Sequence, residues 1–322
     1  MKFGVIGTNF ISDRFAEAAS VVEGAEITAV YSRAEETGEA FAKRHGIEKV
    51  YTSLEQMLEE GGIDAVYVAS PTLLHKEHSI LAMKAGCDVL CEKMIATDYE
   101  SFLEMKAVAE KCGAVLIEAM RPDFDPAIKT FAEALPLIGR VRRASFEYCQ
   151  YSSRYDRFLS GIMTNAFDPT LKNSALSDIG IYPLHLCVSL FGEPKELVSK
   201  SVYLDGGFEG LGSVILNYGD MLATVTYSKI TESIAPTVID GELGSITLDK
   251  INAPKEITLR LRGQEPRAIP ISTCENNMTY EIEEFMRLKE IRDSSHYLSV
   301  TEKTMRLVDK IYSSSGIVFP EI

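Results

Sequence analysis

The chain is short of positive charge. Its 322 residues carry 33 lysines and arginines against 47 aspartates and glutamates, a net charge of −14. Such a surface repels phosphate backbones and anionic lipids, so neither nucleic acid nor a membrane is an expected partner. Apolar runs of about 18 residues, long enough to span a bilayer, are missing. The opening MKFGVIGTNF lacks the apolar core of a secretion signal. The six cysteines (Cys87, Cys91, Cys112, Cys149, Cys187 and Cys274) form no CxxC pair and lie in periodic apolar segments. They read as reduced core residues of a cytoplasmic protein. His75 and His78, with Cys87 and Cys91, give no three- or four-ligand metal spacing, so no metal is expected. G-x-S-x-G and Cys/His nucleophile patterns are missing too, which argues against acyl transfer. Internal repeats and low-complexity tracts are absent.

What is present is an ordinary globular composition, 46% hydrophobic and 25% charged. The length suits two domains. The first 120 residues alternate strand and helix patterns. Strand-like runs are Phe3–Ile6, Ile27–Tyr31, Ala65–Ala69, Val89–Cys91 and Val115–Ile117. Helical spacing appears near 11–22, 34–45, 53–60, 74–85 and 98–112. Gly24, Gly46, Gly61–Gly62, Gly86 and Gly113 fall at the joints, where helix ends favour positive φ. This alternation predicts an α/β unit with a parallel sheet covered on both faces.

The rhythm changes after Arg121-Pro122. Helices are predicted at 126–136, 175–191, 278–291 and 299–314. Strands are predicted at Val141–Tyr151, 197–204, 212–218, 221–228, 235–240, 244–248, 256–262 and 267–271. The expectation is residues 1–121 as a nucleotide-binding domain. Residues 122–322 would form an α+β domain with a large, mainly antiparallel sheet, for substrate and assembly.

Three places carry chemistry. Residues 7–12, GTNFIS, sit where a G-x-G-x-x-G phosphate loop would lie between a strand and a helix. Only Gly7 is kept; Asn9 and Ser12 replace the other glycines. Asn tolerates unusual backbone angles and Ser12 is small enough for close helix packing. The turn equally suits an ordinary strand–helix joint. The next strand ends Tyr31-Ser32-Arg33, where a hydroxyl and a guanidinium suit a ribose 2′-phosphate, or where Arg33 is an ordinary solvated loop arginine. Cys91-Glu92-Lys93 closes another strand and points Lys93 to the carboxyl edge of the sheet, either as an acid–base group or as a surface lysine. In the helix around 175–191, Asp178, Tyr182 and His185 have i, i+4, i+7 spacing and share one face, either as a paired polar site or as a half-exposed polar face. Tyr148, Tyr151, Arg154, Tyr155, Arg157 and Phe167 precede that helix and suit either a polyol cleft or an interface.

Together these segments resemble the glucose–fructose oxidoreductase/inositol dehydrogenase (Gfo/Idh/MocA) family. GVIGTNFIS resembles its glycine loop, ASPTLLH at 69–75 its P-x-x-x-H segment, CEKM at 91–94 its E-K-P motif, and SALSDIGIYPLH at 174–185 its G-G-x-x-x-D-x-G-x-[YH] helix. The resemblance covers nearly the whole chain. It implies a Rossmann domain and an NAD(P)-dependent oxidoreductase acting on a sugar, polyol or diol. With Ser32 and Arg33 at the second strand's end, NADP is the expected cofactor, with NAD as the alternative. The resemblance assigns catalysis to Lys93, Asp178 and Tyr182. It assigns the cofactor cradle to Gly7, Thr8, Asn9, Phe10, Ile11, Ser32, Arg33, Ser70, Pro71, Thr72, His75, Glu92, Lys93 and Arg121. Lys93, Tyr182 and His185 would meet substrate. Met94 and Asn173-Ser174 depart from the family pattern. A non-catalytic sensor of the same fold is the alternative function. An antiparallel sheet covered by helices on one face predicts a homodimer or larger homo-oligomer through its other face.

Overall fold

The computed structural model describes residues 1–320. The first elements are β1 (Lys2–Ile6), α1 (Phe10–Ala19), β2 (Glu26–Tyr31), α2 (Glu35–His45), β3 (Lys49–Tyr51), α3 (Leu54–Glu60), β4 (Ala65–Val68), α4 (His75–Lys84), β5 (Asp88–Glu92), α5 (Tyr99–Cys112) and β6 (Leu116–Ala119). There follow α6 (Pro126–Ala134), β7 (Val141–Cys149), α7 (Tyr155–Leu159) and α8 (Ile181–Phe191). Next come β8 (Glu196–Tyr203), β9 (Glu209–Asn217), β10 (Leu222–Ser228), β11 (Thr237–Gly241), β12 (Gly244–Leu248), β13 (Ile257–Leu261) and β14 (Arg267–Ile269). Helices α9 (Met278–Ile291) and α10 (Ser295–Ser315) follow.

The chain packs as two compact units. Met1–Phe124 and Cys274–Glu302 form the first; Asp125–Thr273 and the chain from Lys303 on form the second. Residues 274–302 therefore group with the nucleotide-type unit, not with the domain in which the sequence placed them. The reason is an apolar stripe on α9. Met278, Ile282, Phe285 and Leu288 are buried in one cluster with Phe3, Phe15 and Tyr67. Their spacing puts them on one helical face, and burying it against β1 and α1 removes it from water.

The first unit's sheet has the order β3-β2-β1-β4-β5-β6, with every pair parallel. Every residue of β4, β5 and β6 is buried, as expected of strands covered on both faces. The strand order reverses between β1 and β4, which makes the carboxyl ends of those strands the ligand edge. Strand β3, KVY, is too short to leave a period and was not expected. Of the joint glycines, Gly61 departs from expectation, with an α-helical φ of −64°.

The second unit's sheet has the order β14-β13-β12-β11-β7-β10-β9-β8. Only β7 and β10 pair in parallel; the other pairs are antiparallel. Inward residues alternate along the strands, as in Ala144 and Phe146 or Ala223, Val225 and Tyr227. Helix α8 lies on this face, and its residues from Ile181 to Val188 are all buried. The opposite face keeps Val198, Val202, Ile215 and Leu222 about half exposed.

Candidate active site

At the end of β1 the chain turns at Gly7, where φ is +106°. A Cβ there would sit 2.7 Å from the Ala69 carbonyl oxygen, so only glycine lets β1 and β4 approach as they do. Asn9 behaves differently from expectation. Its φ is −87°, an ordinary extended value, so the tolerance of Asn for unusual angles is not in use. Instead its Oδ1 accepts the amides of Ile11 at 2.9 Å and Ser12 at 3.3 Å, capping α1. Its Nδ2 donates to the Ala69 carbonyl at 2.7 Å, tying the loop to β4. The side chain thus takes two of the amides that a glycine would leave to a ligand. Thr8 and Phe10 remain at the head of the helix, and the Phe10 ring is largely exposed. Ser12 is fully buried, as its small size predicts.

At the end of β2, Ser32 is buried and its Oγ lies 2.6 Å from Thr37 Oγ1. Arg33 is exposed beside the start of α2, whose cap residue Ala34 provides no side-chain bond. Arg33 thus precedes a helix start that has no side-chain cap, although Glu35 and Glu36 occupy its first turn.

The segment after β4 is a scaffold. His75 is buried, with Nε2 2.8 Å from the Ser70 carbonyl and Nδ1 2.9 Å from the Met94 carbonyl. Both ring nitrogens are engaged by backbone, so His75 holds two loops in place and does not face outward as a cradle residue. Burial pushes its pKa down to about 4, so at neutral pH the ring donates to one carbonyl only. His78 Nδ1 lies 2.9 Å from Ser70 Oγ, fixing that hydroxyl. Pro71 is exposed and Thr72 half-buried.

Buried carboxylates set the turn at Lys93. Glu92 accepts from the Tyr67 hydroxyl at 2.6 Å and from the Lys93 amide at 3.2 Å. Glu118, which sequence reasoning missed, accepts from the Ile95 amide at 2.9 Å and from Thr301 Oγ1 at 3.1 Å. Met94 stands where the family has proline, and the Lys93–Met94 peptide is cis. Burial raises the Glu92 pKa against the pull of the Lys93 and Arg121 charges. Glu281 of α9 is buried as well. Burial first, and the Glu92 charge second, push its carboxyl well above the usual range, with Arg121 opposing.

In the second unit the helix after Asn173 is not continuous α-helix. Leu176–Gly180 winds as a π-turn that leads into α8. The expected single face therefore parts. The Asp178 side chain is 42% exposed, Tyr182 is nearly buried, and His185 is fully buried within hydrogen-bonding distance of Thr304, at 3.4 Å. His185 is thus a core histidine, and the structure does not bring it to the surface with Asp178. Ser174 and Ser177 cap the turn reciprocally. Ser174 Oγ accepts the Ser177 amide at 3.0 Å and Ser177 Oγ accepts the Ser174 amide at 2.9 Å. The buried Glu209 accepts the Leu176 amide at 2.9 Å and the Ser201 hydroxyl at 3.0 Å. Gly180 carries no side chain because a Cβ would lie 2.6 Å from the Tyr227 ring. The Tyr148 ring stands 5.8 Å from that of Tyr182, and Asn252 Nδ2 donates to its hydroxyl at 2.9 Å.

The largest omission from the sequence reading is Lys229, just beyond β10. Its side chain is 3% exposed, and its Nζ lies 2.8 Å from Asp178 Oδ2 and 2.6 Å from the Ala166 carbonyl. The ammonium also stands over the rings of Phe167 and Phe208, 4.8 and 5.2 Å from their centroids. The only sequence signal was a lysine closing an apolar strand, TYSK. Among the described residues no group of three or more His, Cys, Asp or Glu is placed to hold a metal ion, and no helix is long and apolar enough to cross a membrane.

Residues 1–120 match the family model described as an oxidoreductase family with an NAD-binding Rossmann fold. Residues 137–247 match the GFO/IDH/MocA C-terminal domain. The chain is 40% identical to scyllo-inositol 2-dehydrogenase (NADP(+)) IolU of Bacillus subtilis, over 99% of this chain and 98% of that protein. It is 26% identical to trans-1,2-dihydrobenzene-1,2-diol dehydrogenase of Mus musculus, over 100% of this chain and 98% of that one. The crystal structure of KijD10, a 3-ketoreductase from Actinomadura kijaniata in complex with NADP and TDP-benzene, superposes with a TM-score of 0.88. It covers 98% of each chain at 22% identity, a likeness of fold.

Proposed function

The chain belongs to the GFO/IDH/MocA oxidoreductase family, and from that premise we propose a nicotinamide-dependent dehydrogenase acting on a polyol, sugar or diol. NADP is the preferred coenzyme in this reading, with NAD as the alternative. The observation that carries it is the presence of Lys93, Asp178 and Tyr182 in the motifs that resemble the family's, in a chain 40% identical, end to end, to a scyllo-inositol 2-dehydrogenase (NADP(+)).

The residues present fit a dinucleotide. Gly7 leaves the strand-order reversal without a side chain, Thr8 and Phe10 head α1, and Arg33 offers charge at the end of β2. Ser32, Ser70, Pro71, Thr72 and Arg121 complete the proposed cradle, held from behind by Asn9, His75 and Glu92. Bound nicotinamide supplies the acceptor or donor of a hydride at the substrate carbon. Tyr182 exchanges the proton of the substrate oxygen, Lys93 stabilises negative charge on that oxygen, and Asp178 orients the tyrosine. Substrate contacts are assigned to Lys93 and Tyr182. A pure sensor has no need of these three groups, which favours the enzyme. Lys93→Ala and Tyr182→Phe are each expected to lower kcat by about 100-fold or more. Wild-type turnover in both would end the assignment.

The same reading places the protein in the cytoplasm as a homodimer or larger homo-oligomer. Val198, Val202, Ile215 and Leu222 form an apolar stripe on the open sheet face, which a second subunit would cover.

A further inference from the structure

We propose that Lys229 is a positioning residue of this enzyme, holding the Asp178 carboxylate in the orientation and charge state that Tyr182 chemistry requires. This rests on the dehydrogenase reading above and adds a residue to it. The argument begins with burial. A lysine side chain 3% exposed is rare, because taking an ammonium out of water is costly unless other groups replace its hydration. Here the replacement is complete on several sides. The Ala166 carbonyl and Asp178 Oδ2 accept from Nζ at 2.6 and 2.8 Å, and the faces of Phe167 and Phe208 stand at 4.8 and 5.2 Å.

Asp178, by contrast, is 42% exposed and sits in a π-turn. Of the two partners, the buried lysine is the fixed one and the carboxylate the one being held. π-turns of this kind recur at functional sites because the widened turn re-aims side chains. The turn is further pinned by Glu209 on the Leu176 amide and by the close seat of Gly180 on Tyr227. Both supports come from β9 and β10, and Lys229 follows β10 directly. The adjoining ends of two neighbouring strands thus set the backbone of the turn and the charge opposite its acid. Asp178 in this arrangement is held against a buried ammonium at 2.8 Å.

The test is a double-mutant cycle in the full-length enzyme, with Lys229→Met, Asp178→Asn and the pair. Lys229→Met is expected to lower kcat by about 10- to 100-fold, to leave the coenzyme Kd unchanged, and to move the acid limb of kcat/KM to higher pH. The double variant is expected to turn over no more slowly than Asp178→Asn alone. A melting temperature lowered with kcat and pH profile unchanged would make Lys229 merely structural and overturn the proposal. So would multiplicative losses in the double variant. Should Lys229→Met fail to fold, Phe167→Leu opens one side of the cradle without removing a charge. A kcat reduced about 3-fold at unchanged coenzyme Kd is then expected, and an unchanged kcat overturns the proposal. If the wild type turns over no polyol, sugar or diol with NADP, the dehydrogenase reading has failed; if Asp178→Asn keeps wild-type activity, only the lysine's role through Asp178 has failed.

Discussion

At the scale of residues, the departures from family pattern are where this chain is most informative. Asn9 replaces a glycine, yet it caps α1 and bonds to Ala69 with unexceptional backbone angles. Asn9→Gly is expected to cost about 1 kcal/mol or less, because glycine is itself a tolerated cap. Urea unfolding checks this. In the proposed function Arg33 is assigned the coenzyme preference. Arg33→Ala is expected to weaken NADPH binding by about 10-fold, the order of one charge-assisted hydrogen bond, and to leave NADH nearly unchanged. Fluorescence titration of both coenzymes decides it; equal losses for the two would refute a role at the 2′-phosphate. Lys93, Asp178 and Tyr182 could be proposed from sequence because their motifs are local. Lys229, Glu118 and Glu281 could not, since each acts through partners far away in sequence. A buried lysine or glutamate reads in sequence like an exposed one.

At the scale of elements, the strand and helix pattern was readable because burial imposes periods of 2 and 3.6. The seven strands from β8 to β14 were all expected, and α9 runs from Met278 to Ile291 as its spacing predicts. What failed was continuity and company. A single helix across 175–191 assumes α-geometry throughout, whereas Leu176–Gly180 is a π-turn. Periodicity also shows that α9 has an apolar face but not which core receives it. The turn yields a prediction at Gly180. Alanine ordinarily gains about 1 kcal/mol over glycine inside a helix, but overpacking costs about 1–3 kcal/mol. A Cβ 2.6 to 2.9 Å from three atoms of the fully buried Tyr227 ring makes the second effect larger. Gly180→Ala should therefore lower the urea midpoint; an unchanged or higher midpoint would mean that β10 yields more easily than its packing implies.

At the scale of the whole molecule, the charge of −14 coexists with a nucleotide edge that carries Arg33, Lys93 and Arg121, so the bulk charge is a poor guide to the site. The buried Glu281 ties stability to pH. Its carboxyl binds a proton more tightly folded than unfolded, where 4.5 is the ordinary value. It therefore favours the native state below about pH 4.5, and that contribution is lost as pH rises through the folded value. Glu281→Gln should raise the melting temperature at pH 8 and leave it nearly unchanged at pH 4; a uniform shift at both would contradict the burial argument. Light scattering at micromolar concentration should give at least a dimer mass, reduced toward monomer by Ile215→Lys on the open sheet face. A wild-type monomer would exclude that interface. The most direct test of the central claim is a paired measurement of reduction of NADP with cyclic polyols, aldoses and vicinal diols by wild type and Tyr182→Phe, with NADPH affinity measured on both. The account predicts turnover by wild type, a loss of about 100-fold or more in the variant, and equal NADPH affinity. Binding without turnover by wild type, or full turnover by Tyr182→Phe, would contradict it.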